Sequence, residues 1–158
     1  MQAVNSILVP VDFSAGSKHA LAYAIRLADA FGASLHVIHV LDDSFALGGY
    51  LETYAGHYIE TAAQQAAGDL EGLLTPEQKG RYAAAAVVRI GRPAVEILRY
   101  LAEHREIDMV VMGTAGRGVV ARFMMGSVTD RVLRAAPCPV VTVHSHDHVE
   151  EGTGHRAA

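Results

Sequence analysis

The chain reads as a single α/β domain, a five-stranded parallel sheet with helices on both faces. Three observations predict it. The apolar runs Ile7-Leu8-Val9, continuing to Val11, and Ile107-Asp108-Met109-Val110-Val111-Met112 lack strict polar alternation, which is how strands buried on both faces look. Between such runs lie longer stretches with helical periodicity: Leu21, Ala24, Ile25 and Ala28 follow the i, i+3, i+4, i+7 spacing of one buried face. Strands and helices alternate along the chain, which implies parallel strands joined by crossover helices.

In order, residues 5 to 11 form the first strand and residues 15 to 31 the first helix, which Gly32 terminates. Ser34 to Val40 is the second strand. His36 and His39 fall on its opposite faces and read as satisfied or exposed strand residues rather than metal ligands. Residues 41 to 50 make a polar connection to a long second helix that runs to about Leu74, weakened by Gly56 and Gly68. Tyr50, Tyr54 and Tyr58 form one stripe on it, read as packing. Thr75-Pro76-Glu77 breaks that helix or starts one short extra turn. Residues 81 to 90, rich in alanine with charged ends, suit an edge strand. Pro93 opens the next helix, whose apolar face is Ala94, Ile97, Leu98 and Leu101. Asp108 to Met112 is the fourth strand, a helix starts at Ser127, and residues 139 to 143 are the last strand. Residues 1 to 144 form the domain, and residues 145 to 158, SHDHVEEGTGHRAA, read as a polar tail. His144, His146 and His148 alternate there, a weak Zn or Ni pattern beside the simpler reading of an exposed tail.

Composition excludes several function classes. A chain of 158 residues can bury a core of its own, and 51% hydrophobic against 19% charged residues suits a globule. A net charge of -4 argues against a nucleic-acid-binding protein. No apolar run approaches the roughly 18 residues of a membrane span, and the first residues lack a signal-peptide pattern. The single cysteine, Cys138, rules out an internal disulfide and suits a reducing cytoplasm; between two prolines, it reads as a small buried residue rather than a nucleophile.

The stretch 113 to 128, GTAGRGVVARFMMGSV, carries the chemistry. Gly113, Gly116 and Gly126 stand at G-x2-G-x9-G-S between a buried strand and a helix start. Glycines let a ligand approach the main chain, and the unpaired N–H groups of a helix N-terminus attract anions. Arg117 and Arg122 fall within this stretch and Arg131 and Arg134 just after it, against one acid, Asp130. Ser127-x-x-Asp130 has capping-box spacing, so capping competes for the Ser127 hydroxyl. The middle of the loop, with Val119, Val120, Phe123, Met124 and Met125, is apolar enough to fold back as a short helical turn. No Walker pattern occurs. The loose G-x-G-x-x-A from Gly116 to Ala121 comes too late in the chain, with its acid too near, for a dinucleotide fingerprint. Asp12 follows the first strand, where open α/β sheets bind ligands; helix capping and ligand contact are both open to it.

G-x2-G-x9-G-S, followed by Val128-Thr129-Asp130-Arg131-Val132-Leu133 and Ala136-Pro137-Cys138-Pro139-Val140, resembles the ATP-binding branch of the universal stress protein family. Ile7-Leu8-Val9-Pro10-Val11-Asp12-Phe13-Ser14 and Gly91-Arg92-Pro93-Ala94 add to the likeness, which spans residues 5 to 144. The resemblance implies strand order 3-2-1-4-5 and ATP at the carboxyl ends of strands 1 and 4. Pro10, Val11 and Val40 would frame adenine. Asp12 and Gly113 would hold the ribose side, with Asp12 near a Mg ion. Gly116, Arg117, Gly126, Ser127 and Val128 would hold phosphates, Arg117 also on its charge. It further implies a homodimer through Val140 to Val143, and a cytoplasmic stress-response regulator. With no Walker lysine and no evident base for water, hydrolysis would be slow at most. Two rivals stand beside this: a partner-binding dimerisation module that needs no nucleotide, and a slow ATPase or adenylyl-transfer enzyme.

Overall fold

A computed structural model describes residues 3–44, 52–114 and 125–144. Strands β1 (Ser6–Pro10), β2 (Ser34–Leu41), β3 (Ala85–Ile90), β4 (Met109–Gly113) and β5 (Val140–Val143) form one sheet in the order β3-β2-β1-β4-β5. Every neighbouring pair is parallel. The connecting helices are α1 (Ala15–Phe31), α2 (Glu52–Glu71), α3 (Pro76–Arg81), α4 (Pro93–Glu103) and α5 (Ser127–Ala135).

The pleat sorts the core into two layers. Ile7, Val9, Leu35, Val37 and Val111 pack on one face with Ala20, Leu21, Ala24 and Ala28 of α1 and Leu70 of α2. Leu8, Ile38, Val110 and Met112 pack on the other with Ile97, Tyr100 and Leu101 of α4 and Val132 of α5. Successive strand residues point to opposite faces, so central β1 is buried along its whole length, with Ile7, Leu8 and Val9 at 0% exposure. Each such side chain contributes roughly 1.5–3 kcal/mol of transfer free energy, and the sheet centre is where the fold is anchored.

The helix ends follow local chemistry. Ser14 caps α1 by accepting from the Ser17 amide, and Gly32 closes it at φ 69°, a left-handed angle that glycine adopts without a Cβ clash. Of the two readings of Thr75-Pro76-Glu77, a break or the start of a short extra turn, the structure has the second, as the separate six-residue helix α3. α2 stops at Glu71 rather than Leu74, and Thr75 with Gln78 forms a reciprocal capping box for α3. That moves the start of β3 from Arg81 to Ala85, because Arg81 still belongs to α3. β3 does lie at a sheet edge.

Two further expectations change. Gly126, not Ser127, is the N-cap of α5, and no side chain caps that end. Ser127 is already helical, so its hydroxyl is not spent on the capping box. Tyr58 is 63% exposed and is not core packing, while Tyr50 and the side chain of Tyr54 lie outside the described residues. The apolar middle of the glycine loop (115–124) and the tail from 145 lie outside them too.

Candidate functional site

Sheet order alone marks one end of the molecule. The chain runs from β1 to β2 and β3 on one side and to β4 and β5 on the other. At such a switch point the connections leave the carboxyl ends of β1 and β4 in opposite directions and open a crevice between them. A cavity of about 340 Å³ lies there, within the range of small-molecule sites. Its walls include Pro10, Val11 and Asp12 after β1, Val40 on β2, Gly113 ending β4, and Gly126, Ser127 and Val128 opening α5. The structure therefore brings together eight of the ten residues singled out in the sequence. The other two, Gly116 and Arg117, lie outside the described residues.

Each wall has a physical cause. Gly113 is where β4 meets the first turn of α1: a Cβ there would stand 3.0 Å from the Gly16 carbonyl carbon and 3.1 Å from its oxygen. Those are backbone atoms, so a side chain there would have to push the helix away by a few tenths of an ångström, and the close approach of strand and helix favours glycine. Thr129 Oγ1 donates to the Gly113 carbonyl at 2.9 Å and ties the start of α5 to the end of β4. The Gly126 amide donates to the Thr114 carbonyl at 2.7 Å, and the Asp130 amide to the Gly126 carbonyl at 2.9 Å. That last bond is the first of the helix, so the amides of Ser127, Val128 and Thr129 have no intrahelical acceptor. They sit at the positive end of the α5 dipole, on the cavity wall.

Asp12 is the one ionisable residue among the described residues that line the cavity. Its Oδ1 accepts from the Ser14 amide at 3.0 Å and from the Ser14 hydroxyl, and its own amide donates to Ser17 Oγ at 3.3 Å. Ser14, not Asp12, caps α1. Ser17, with its Oγ donating to the Ser14 carbonyl at 3.0 Å, is buried beside this loop.

Pro93, in the Gly91-Arg92-Pro93 turn that the resemblance sets near the nucleotide, also lines the cavity, as do Ser17, Ile38, Ile97, Met112 and Thr129, which were not singled out. For Ser17 and Thr129 a signal was present. Each is a polar residue on a helix's apolar stripe, Ser17 before Ala20, Leu21 and Ala24, and Thr129 before Val132. Ile38 and Met112 are two more apolar strand residues, and only their height in the sheet sets them apart. The histidines behave as read: His36 Nδ1 bonds Tyr100 OH at 2.8 Å on the α4 face, and His39 Nδ1 bonds the Val11 carbonyl at 2.8 Å on the other. Among the described residues no group of acids, histidines or cysteines could hold a metal by itself. Cys138 is half-buried, and burial, with Asp108 nearby, pushes its thiol up, the opposite of an activated nucleophile.

The model of the universal stress protein family matches residues 4–144. The chain belongs to the universal stress protein family. A universal stress protein of Methanocaldococcus jannaschii is 31% identical over 139 residues, covering 88% of this chain and 81% of that protein. The universal stress protein UspA from Lactobacillus plantarum superposes with TM-score 0.78 at 27% identity, over 90% of this chain and 99% of that one. A universal stress protein in complex with cAMP (TM-score 0.60, 21% identity, 90% and 98% coverage) has the same fold. So does an Arabidopsis thaliana family member with AMP bound (TM-score 0.61, 16% identity, 90% and 93% coverage).

Proposed function

We propose that this universal stress protein binds ATP in the cavity between β1 and β4 and acts as a cytoplasmic stress-response regulator. The observation that carries the proposal is the pairing of an apolar slot with an uncapped helix N-terminus in one cavity. Adenine fits the slot framed by Pro10, Val11 and Val40, with Ile38 and Met112 adding apolar surface. The ribose lies beside Asp12 and Gly113. The phosphates lie against Gly126, Ser127 and Val128, whose end of α5 offers unpaired amides and positive potential. Gly116 and Arg117 complete the phosphate side on the strength of the glycine pattern and of the arginine's charge. The fold relatives that carry cAMP and AMP support an adenine nucleotide as the ligand class.

The donor set suits a Mg ion that arrives with its phosphates. One carboxylate, Asp12, lines the cavity, and Mg is commonly held by one or two carboxylates together with phosphate oxygens and water. When bound it would neutralise phosphate charge. Asp12 would supply one oxygen and orient the ribose edge. Its Oδ1 already accepts from the Ser14 amide and hydroxyl, which fixes the carboxylate beside the cavity. The single cysteine accords with a cytoplasmic place of action. Among the described residues no helix is long and apolar enough to cross a membrane.

The test is a calorimetric comparison of ATP with adenosine. Arg117→Ala should weaken ATP by roughly tenfold or more and leave adenosine nearly unchanged, because a charged hydrogen bond to phosphate is lost. Equal loss for both ligands would remove Arg117 from the phosphate side. No binding of either ligand by the wild type would favour the partner-binding module instead.

A further inference from the structure

We propose that His39 is the positioning residue of the nucleotide site, holding Asp12 in place by clamping the residues on either side of it. The proposal rests on the nucleotide reading above for its purpose, but its geometry stands by itself. Val11 is 5% exposed, and its amide donates to the Ile38 carbonyl at 2.8 Å, one step beyond the end of β1. Its carbonyl needs a donor as well, since an unpaired buried carbonyl is costly. His39 Nδ1 supplies it at 2.8 Å from the neighbouring strand. A carbonyl can only accept, so Nδ1 carries the hydrogen of this bond.

On the far side of Asp12, Phe13 has φ 65°. A bulky residue in the left-handed region is strained and persists only where the surroundings hold it. The Phe13 ring packs on the His39 ring, with centroids 4.6 Å apart and planes tilted by 41°. One imidazole thus holds the main chain of residue 11 and the side chain of residue 13. Asp12, between them, is left with a fixed direction toward the cavity it lines. His39 itself is not among the cavity-lining residues, so it acts through Asp12 and not by touching a ligand.

The experiment compares His39→Leu, which removes donor and ring, with His39→Asn, whose side-chain amide can reach the place of Nδ1. If His39→Leu does not fold, His39→Phe replaces it, keeping a ring against Phe13 and lacking only the donor. Two readouts are taken on the full chain: amide resonances of Asp12 and Phe13 without ligand, and calorimetric affinity for Mg-ATP. His39→Leu should shift both resonances and weaken ATP by roughly tenfold, the value of one buried hydrogen bond lost. His39→Asn should restore most of the affinity. Unmoved Asp12 and Phe13 resonances in folded His39→Leu would overturn the proposal, as would His39→Asn losing as much affinity as His39→Leu. Should the wild type bind no ATP, the nucleotide reading fails, and the ligand-free resonances still decide whether His39 positions Asp12.

Discussion

Two residues carry sharp consequences. Gly113 leaves a methyl group tighter than usual, and the obstacle is Gly16 backbone rather than a side chain that could swing away. Gly113→Ala must push α1 from β4 and should cost about 1–3 kcal/mol, read as a lower urea midpoint; an unchanged midpoint would show that the two elements yield freely. His36 gives a pH dependence. Burial first, then the neighbouring His104, lowers its pKa below 6.5, with Glu106 pulling the other way. The unfolded chain therefore takes up a proton on His36 before the folded protein does. Stability rises with pH wherever the unfolded state binds more protons. The His36 contribution is whole above about pH 7 and is lost as pH falls through the ordinary histidine range, near 6.5, toward the lower folded value. Urea midpoints should drop between pH 7 and 5, and less so in His36→Gln. A wild-type midpoint flat over that range would refute the assignment.

At the scale of elements, the edge strand β5 sets the terms for a dimer. The Pro139 carbonyl accepts from the Val110 amide and the Val143 carbonyl from the Thr114 amide, both toward β4. Main-chain groups alternate sides along a strand, so those of Val141 also face β4, while those of Val140 and Thr142 face the open edge. A second copy pairing there would use the outward groups, an unpaired apolar edge being a ready template. Thr142→Pro removes an outward N–H and should convert a dimer to a monomer with the fold kept. Val141→Pro should instead damage the β4–β5 ladder and stability. Light scattering with circular dichroism separates the two, and a Thr142→Pro protein still dimeric would place the interface elsewhere. The element boundaries show what a sequence conveys. The limits of α1 and the start of α5 were legible because a serine, glycine or strand end marks each one. The Thr75–Gln78 capping box marked α3 just as clearly, but with only six residues and no buried face, α3 offers no periodicity to support it.

For the molecule as a whole, the alternation of buried strands and amphipathic helices fixes a parallel sheet, and strand order came only from the family resemblance. Order is decided by which helices cover which face, and one chain's periodicity carries no record of that. The cavity lining was legible where backbone packing favours a residue type, as at Gly113. It was opaque at Ile38, Ile97 and Met112, which look like any other core residue; Ile38 and Met112 line the cavity through their height in the sheet and Ile97 through its place on α4. The proposed anion end rests on α5, whose first amides line the cavity without a side-chain cap. Gly126 holds an ordinary extended conformation, φ -62° and ψ 148°, so no unusual backbone angle demands a glycine there. A glutamate at that point would fill the phosphate position and set a like charge in it. The decisive measurement is calorimetric titration of Mg-ATP into the wild type and into Gly126→Glu, with circular dichroism as the folding control. The wild type should give saturable one-to-one heat and the folded variant none; a folded Gly126→Glu that binds ATP as the wild type does would contradict a phosphate site at the start of α5.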